Sequence, residues 1–342
     1  MPIVTSGKVL VTGANGFIAG WVIKVLLERG YSVRGTVRSA GKGDTIKEAF
    51  ASHGDRFELV VVENMISDGV FDQAVAGVDA IVHAASPIGI DAEDPDAFIV
   101  PAVNGTTSIL KSASLPGSTV KRIIIISSLA AVLNMSKGTP CVLTESDWND
   151  PEVAEVKEKE RAAPQAAKYR ASKTIAERAA WDFYQGGKER GAIGWDLVTL
   201  CPPWVFGPVL GAKSPQDFNF SIKTWYELAV KEEGEVPTWS KGSWVDVRDF
   251  AEAHLLVLTK PEAGGERFII AAGPYLWSEW VAVSRRLLGK SSGEEEGDNA
   301  PKVVYAVVFD ATKSREKLGL TYHSKEETAA FMLDEFKGNG WC

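Results

Sequence analysis

The chemistry in this chain is concentrated in Tyr169-Arg170-Ala171-Ser172-Lys173, where a phenol and an ammonium stand four residues apart inside a strongly helical run. Positions i and i+4 share one helix face about 5 to 6 Å apart at Cβ, so the Lys173 ammonium can approach the Tyr169 hydroxyl. A free tyrosine ionises near ~10, too high for easy proton exchange at neutral pH. A fixed positive charge beside it favours the phenolate and makes the hydroxyl usable as a general acid or base. A second polar feature, Ser127-Ser128, ends the β-branched run from Val120 to Ile126. Serines at the carboxyl end of a buried parallel strand stand where open α/β sheets bind ligands, which suits a hydrogen-bond donor to a reacting group. Capping of the following turn is the other role open to them.

A third feature is Gly13-Ala14-Asn15-Gly16-Phe17-Ile18-Ala19-Gly20, directly after the apolar run Lys8–Thr12. Gly13 permits a tight exit from a strand, Gly16 lets the backbone close on a phosphate, and small Ala19 allows close packing of helix on sheet. The helix from Phe17 to Arg29 then offers unpaired N–H groups and a positive dipole end to a pyrophosphate. The next strand, Tyr31 to Val37, ends at Arg38, with Lys42 four residues on. An NAD enzyme commonly has an acidic residue there to hold the ribose hydroxyls. Two cations suit a 2′-phosphate instead, so the expected cofactor is NADP.

These groups need an alternating array of strands and helices to hold them. Further strands are expected at Phe57 to Val62, Asp79 to Ala84, Val120 to Ile126, Trp195 to Cys201 and Arg267 to Ala271. Helices are expected at Ala97 to Ser114, Gln165 to Gln185, Trp277 to Leu288 and Glu326 to Lys337. Asn64, after the third strand, can meet an adenine edge. Small Ala84, Ala85 and Ser86 leave room for a cofactor over the fourth, in which His83 is expected to be packed in the core. Leu133 to Ala163 is expected to be irregular, with the charged run Glu155 to Arg161 a solvated loop or helix face. Ala306 to Leu320 is expected to be a connector, and Ser291 to Ala300 a polar loop. The aromatic-rich stretch from Trp204 to Lys241 is either an apolar substrate pocket or the core of its own lobe.

At 342 residues the chain can hold one large domain or two closely joined ones. Its formal charge of −8 gives no basic surplus for nucleic acid. Cys141, Cys201 and Cys342 are odd in number and far apart, which points to free thiols in a reducing compartment, the cytoplasm. The four histidines show no ligand spacing, so no metal is expected. No apolar run is long enough to cross a bilayer. The expected partner is a small molecule, with neither nucleic acid nor membrane, and the chain is expected to be a monomer or homodimer.

Taken together, Thr12-Gly13-Ala14-Asn15-Gly16-Phe17-Ile18, Val33 to Arg38, Ser127-Ser128, Glu145 to Trp148, Tyr169-x-x-x-Lys173, Pro202 to Pro208 and Val245 to Asp249 resemble the extended short-chain dehydrogenases/reductases. Within these, the likeness is to the group of dihydroflavonol reductases, cinnamoyl-CoA reductases, yeast methylglyoxal reductases and fungal carbonyl reductases. The resemblance covers roughly the first three quarters of the chain. It implies an α/β Rossmann-fold, doubly wound parallel sheet, with residues 1–202 and 243–275 binding NADP and residues 203–242 and 276–342 forming a smaller substrate-binding region. It also implies an NADPH-dependent reduction of an aldehyde or ketone, with an apolar or aromatic body. In that reaction Tyr169 protonates the carbonyl oxygen, Lys173 lowers the tyrosine pKa and binds the nicotinamide ribose, and Ser128 hydrogen-bonds the carbonyl. Gly13, Gly16, Phe17 and Ile18 fall on the phosphate loop, Arg38 and Lys42 at the 2′-phosphate, and Asn64 and Met65 at the adenine. Ala84 lies under the cofactor, and Pro202 and Val205 lie near the carboxamide. Asn64 departs from the group's usual Asp, and Ala19 replaces its third glycine.

A nucleotide-sugar epimerase or dehydratase of the same superfamily would carry Tyr-Gly shortly after the serines, and Leu129 to Asn134 lacks it. A redox-sensing regulator that binds NADP without turnover would keep the glycine turn and lose the Tyr-Lys pair, which is intact. Arg38→Ala is expected to weaken NADPH binding by ~1.5 to 3 kcal/mol, the scale of a charged hydrogen bond, and to leave NADH nearly unaffected. Equal losses for both, measured by fluorescence titration, would contradict the assignment.

Overall fold

A computed structural model describes residues 3–85, 92–233, 241–290 and 304–342. The strands are β1 Lys8–Thr12, β2 Ser32–Val37, β3 Phe57–Val61, β4 Ala80–His83, β5 Arg122–Ile126, β6 Cys141–Leu143, β7 Asp196–Cys201, β8 Trp204–Phe206, β9 Lys241–Asp246, β10 Glu266–Ile269, β11 Gly273–Leu276 and β12 Val307–Phe309. The helices are α1 Phe17–Glu28, α2 Asp44–Ala49, α3 Asp72–Val75, α4 Asp96–Ala113, α5 Asp150–Lys159, α6 Gln165–Glu189, α7 Phe220–Tyr226, α8 Val247–Thr259, α9 Trp277–Leu287, α10 Thr312–Leu318 and α11 Lys325–Gly338.

Seven strands form one parallel sheet in the order β10-β7-β5-β4-β1-β2-β3. The continuous β-branched runs suit it, because a parallel sheet is covered on both faces. One face packs α1 and α8 through Val22, Leu26, Phe250 and Leu258; the other packs α4 and α6 through Ile109, Leu110 and Ala180. The chain order reverses between β1 and β4, and a crevice beyond the carboxyl ends of such strands is where open α/β sheets bind ligands. Thr12 at the end of β1 lies beside His83 at the end of β4.

A second core is aromatic. Phe206, Phe218, Trp225, Tyr226, Trp244, Tyr275, Trp277, Trp280 and Phe336 are buried together, many ring pairs meeting edge to face, as at Phe206–Trp280 (5.2 Å) and Trp244–Trp280 (4.9 Å). Edge-to-face contact matches the positive ring edge to the negative ring face. Most described aromatics between Trp204 and Lys241 therefore build the lobe's own core, the second of the two roles open to them. Trp239 lies outside the described residues, as do Ser86, Pro87 and the loop from Ser291 to Ala300. Phe17 packs against both cores and joins them.

Two stretches expected to lack regular structure contain it. Within Leu133 to Ala163, α5 is capped by Asn149, whose Oδ1 accepts from Glu152 N at 3.4 Å. It is held to α6 by the Arg170–Glu152 and Arg178–Asp150 ion pairs. Its polar composition hides the helix, because Val156 is its only fully buried residue. The run Glu155 to Arg161 is the end of this helix and the 3-10 turn after it, with Lys159 paired to Glu155. The connector from Ala306 to Leu320 holds α10 and β12, which pairs in parallel with β6. Three-residue strands are too short to show a period. Helix α6 runs on to Glu189, one turn past the expected Gln185. Among the described residues no helix is long and apolar enough to cross a membrane, and no group of three or more His, Cys, Asp or Glu could hold a metal ion.

Candidate active site

Ser128 follows β5 in extended backbone (φ −163°) and caps the 3-10 turn Leu129–Ala131, its Oγ accepting from Ala130 N at 3.1 Å. Ser128 thus fills the capping role, and its side chain also hydrogen-bonds the Tyr169 hydroxyl. Leu129 N donates to Pro202 O at 2.9 Å, and Ser127 N to Leu200 O at 2.8 Å, so the ends of β5 and β7 meet at this point. Tyr169 lies in the second turn of α6 and Lys173 one turn further along.

Burial pushes the Tyr169 phenol up, while the Ser128 hydrogen bond and the Arg170 charge pull it down. Burial holds the Lys173 ammonium down to about 8, with Glu177 and Cys201 acting the other way. Lys173, His83, Ser127, Thr106, Met65 and Glu177 line a cavity of about 20 Å³ between β4, β5, α4 and α6, enough for one water. His83 is buried, as its apolar strand suggests. It shares a hydrogen bond with the Thr12 hydroxyl at 3.0 Å, and burial drops its pKa to about 4, so it faces Lys173 as a neutral ring.

Across the crevice, the turn after β1 has Gly13 at φ +67°, where a Cβ would come within 3.1 Å of the Ala85 backbone. A Cβ on Gly16 would come within 3.1 Å of Gly13 O. The turn therefore presents bare backbone at the start of α1, beside Phe17 and Ile18, which suits a pyrophosphate. Arg38 and Lys42 are exposed at the end of β2, and neither forms an ion pair among the described residues. Two uncompensated cations there fit a dinucleotide with an added phosphate.

The other residues singled out from the sequence surround the same crevice with different engagement. Ala84 is half-buried after β4. Asn64 is exposed and committed to its own turn, its Oδ1 accepting from Ile66 N (3.1 Å) and its Nδ2 donating to Ser67 Oγ (3.3 Å). Met65 points inward against Gly105 of α4. Pro202 is buried beside Ser128, and Val205 is buried in β8 opposite Val245.

Sequence reasoning missed Glu177. It is buried one turn beyond Lys173, accepting from Ser127 Oγ (2.6 Å), Thr199 Oγ1 (2.8 Å), Trp181 Nε1 (3.3 Å) and Arg267 Nε and Nη2 (2.8 and 3.1 Å). These donors hold its carboxyl below the usual range against the cost of burial. The available signal is its position eight residues after Tyr169, a carboxylate next to the buried Ala176 on a helix that also buries Ala180.

Residues 9–273 match the model of the NAD dependent epimerase/dehydratase family, and the chain belongs to that family. Among curated relatives, the ketoreductase azaE of Aspergillus niger is 36% identical over 328 residues, covering 92% of this chain and 93% of that protein. The NADPH-dependent methylglyoxal reductase GRE2 of Saccharomyces cerevisiae is 32% identical over 351 residues, with 97% and 99% covered. The crystal structure of Gre2 from Candida albicans in complex with NADPH superposes with a TM-score of 0.84 at 29% identity, covering 99% of each chain. These names agree with the reductase group that the motifs resemble.

The buried histidines set a pH dependence. His83 and His254 both ionise near 4 in the folded chain because burial disfavours the charged ring. Between that value and ~6.5 the unfolded chain binds more protons, so the two histidines' contribution to stability falls as pH drops through this window. Urea unfolding from pH 7 to 4 should follow this course, with the His83 ring titrating near 4 by NMR; titration near 6.5 would contradict it.

Proposed function

We propose that this chain is an NADPH-dependent reductase of aldehydes or ketones, acting at Ser128, Tyr169 and Lys173. The observation that carries the reading is the Ser128–Tyr169 hydrogen bond at the carboxyl end of β5, with the buried Lys173 one turn along α6. The names of the relatives support it, and Arg38 and Lys42 support NADPH over NADH. NADPH, when bound, supplies the hydride. Ser128 Oγ donates to the substrate carbonyl oxygen and orients it, while Tyr169 Oη gives that oxygen its proton. The Lys173 ammonium steadies the phenolate left behind. Burial around Tyr169 and Lys173 excludes water and strengthens these interactions.

Residues 1–202 and 243–275 carry the cofactor, and 203–242 with 276–342 cover the substrate. An apolar or aromatic substrate body is supported by Phe220, which is 66% exposed and lies 5.6 Å from the Trp204 ring, just after Pro202 and Pro203. The three cysteines are free, which supports a reducing compartment such as the cytoplasm. The chain would act there as a monomer or homodimer.

Oxidation of NADPH with a panel of aryl ketones, aldehydes and methylglyoxal tests the reading. Turnover is expected, with Tyr169→Phe lowering kcat on the order of 10² to 10⁴ at nearly unchanged NADPH affinity. Tight NADPH binding without turnover of any carbonyl would favour a sensor, and near-normal turnover by Tyr169→Phe would remove Tyr169 as the acid.

A further inference from the structure

We infer that Glu177 is a positioning residue for the proton donor: its carboxylate, pinned by Arg267, Ser127 and Thr199, keeps Lys173 in its ammonium form one helical turn from Tyr169. The inference rests on the reductase reading for its purpose, and on the geometry of α6 for its content. Tyr169, Lys173 and Glu177 are spaced by four residues and share one face of the helix. Burial alone drives a lysine toward the neutral amine, which cannot steady a phenolate. Something nearby must oppose that.

The groups facing Lys173 narrow the source. On its own helix these are Tyr169 and Glu177. Strand β4 offers neutral His83, and β7 offers Cys201, whose thiol burial pushes up to about 12. Ser127, just after β5, and Thr106 of α4 line the cavity with Lys173. Among the described residues that line this cavity, Glu177 is the one carboxylate. Arg267 pairs with Glu177 through Nε and Nη2 and shares its charge with Glu145 O (2.9 Å), Asp147 O (2.5 Å) and the Trp148 ring, whose centre lies 3.8 Å away. The hydrogen bond from Ser127 also ties Glu177 to the residue next to Ser128, so one carboxylate sets both the donor's helix and the carbonyl-binding strand end. Stability alone is a weak reason for such a pair, since well-packed apolar residues often replace a buried ion pair without loss.

The test is an NMR titration of Lys173 in cofactor-free protein carrying [¹³C]lysine, its Cε resonance assigned by its loss in Lys173→Arg. Glu177→Gln keeps the shape of the side chain and removes its charge. The Lys173 midpoint should fall by about one pH unit or more. The alkaline limb of kcat/KM for carbonyl reduction should fall with it, with the KM for NADPH within about twofold of wild type. Glu177→Gln leaves Arg267 buried without its partner, so the double variant Glu177→Gln/Arg267→Gln, which removes both charges of that pair, serves if the single one does not fold. A smaller fall is expected there, because loss of the Arg267 charge acts on Lys173 in the opposite direction. An unmoved Lys173 midpoint in the folded variant overturns the inference. A falling midpoint in a protein whose wild type reduces no carbonyl supports the charge assignment and overturns the reductase reading instead.

Discussion

The ion pair between Glu177 and Arg267 joins the helix that carries Tyr169 and Lys173 to the edge strand β10. Both side chains are buried, Glu177 almost wholly and Arg267 to all but 7%, so each depends on the other and on a full set of hydrogen bonds. Breaking such a pair from one side leaves a buried charge uncompensated, typically at a cost of ~3 to 5 kcal/mol. The cost makes the arrangement stiff. Ser127, Thr199 and Arg267 come from β5, β7 and β10, and they converge on one carboxylate of α6. The register of that helix against three strands is thereby fixed, and with it the meeting of Tyr169 and Ser128.

The rest of the fold brings two other surfaces to the same place. The β1 turn presents bare backbone through Gly13 and Gly16, and β2 delivers Arg38 and Lys42 to the far end of the crevice. The aromatic lobe is attached through Phe17, at the start of the helix that follows the glycine turn, and through β8, which begins just after Pro202. The glycine turn and the Ser128–Tyr169 pair are thus set by strand ends of the seven-stranded sheet, and the aromatic lobe by the three-stranded sheet of β8, β9 and β11. Such rigid support is what positions reacting groups within the few tenths of an ångström that catalysis needs.

Much of this was legible in the sequence because the relevant signals are local. Strand β1, the glycine turn and α1 form one contiguous segment, and Tyr169 and Lys173 lie on one helix face. Long apolar strands such as β5 announce themselves by β-branched runs. Helix α5 escaped because its stability comes from a cap and from ion pairs to α6, with one buried residue to mark its face. Strands β6 and β12 escaped because three residues carry no period. The Glu177–Arg267 pair escaped for another reason: its members are 90 residues apart, and only the folded sheet brings them together. In the same way, the aromatics from Trp204 onward could not be divided between pocket and core until Trp277, Trp280 and Phe336 were seen to share their cluster.

In the proposed reaction a carbonyl held by Ser128 takes its proton from Tyr169 and its hydride from NADPH in one crevice. Single turnover of an aryl ketone with NADPH deuterated at the transferring carbon tests it most directly. The expected product is an alcohol carrying deuterium on its carbinol carbon, formed by the wild-type protein and nearly absent with Tyr169→Phe. An alcohol without deuterium, or equal yields from both proteins, would contradict it.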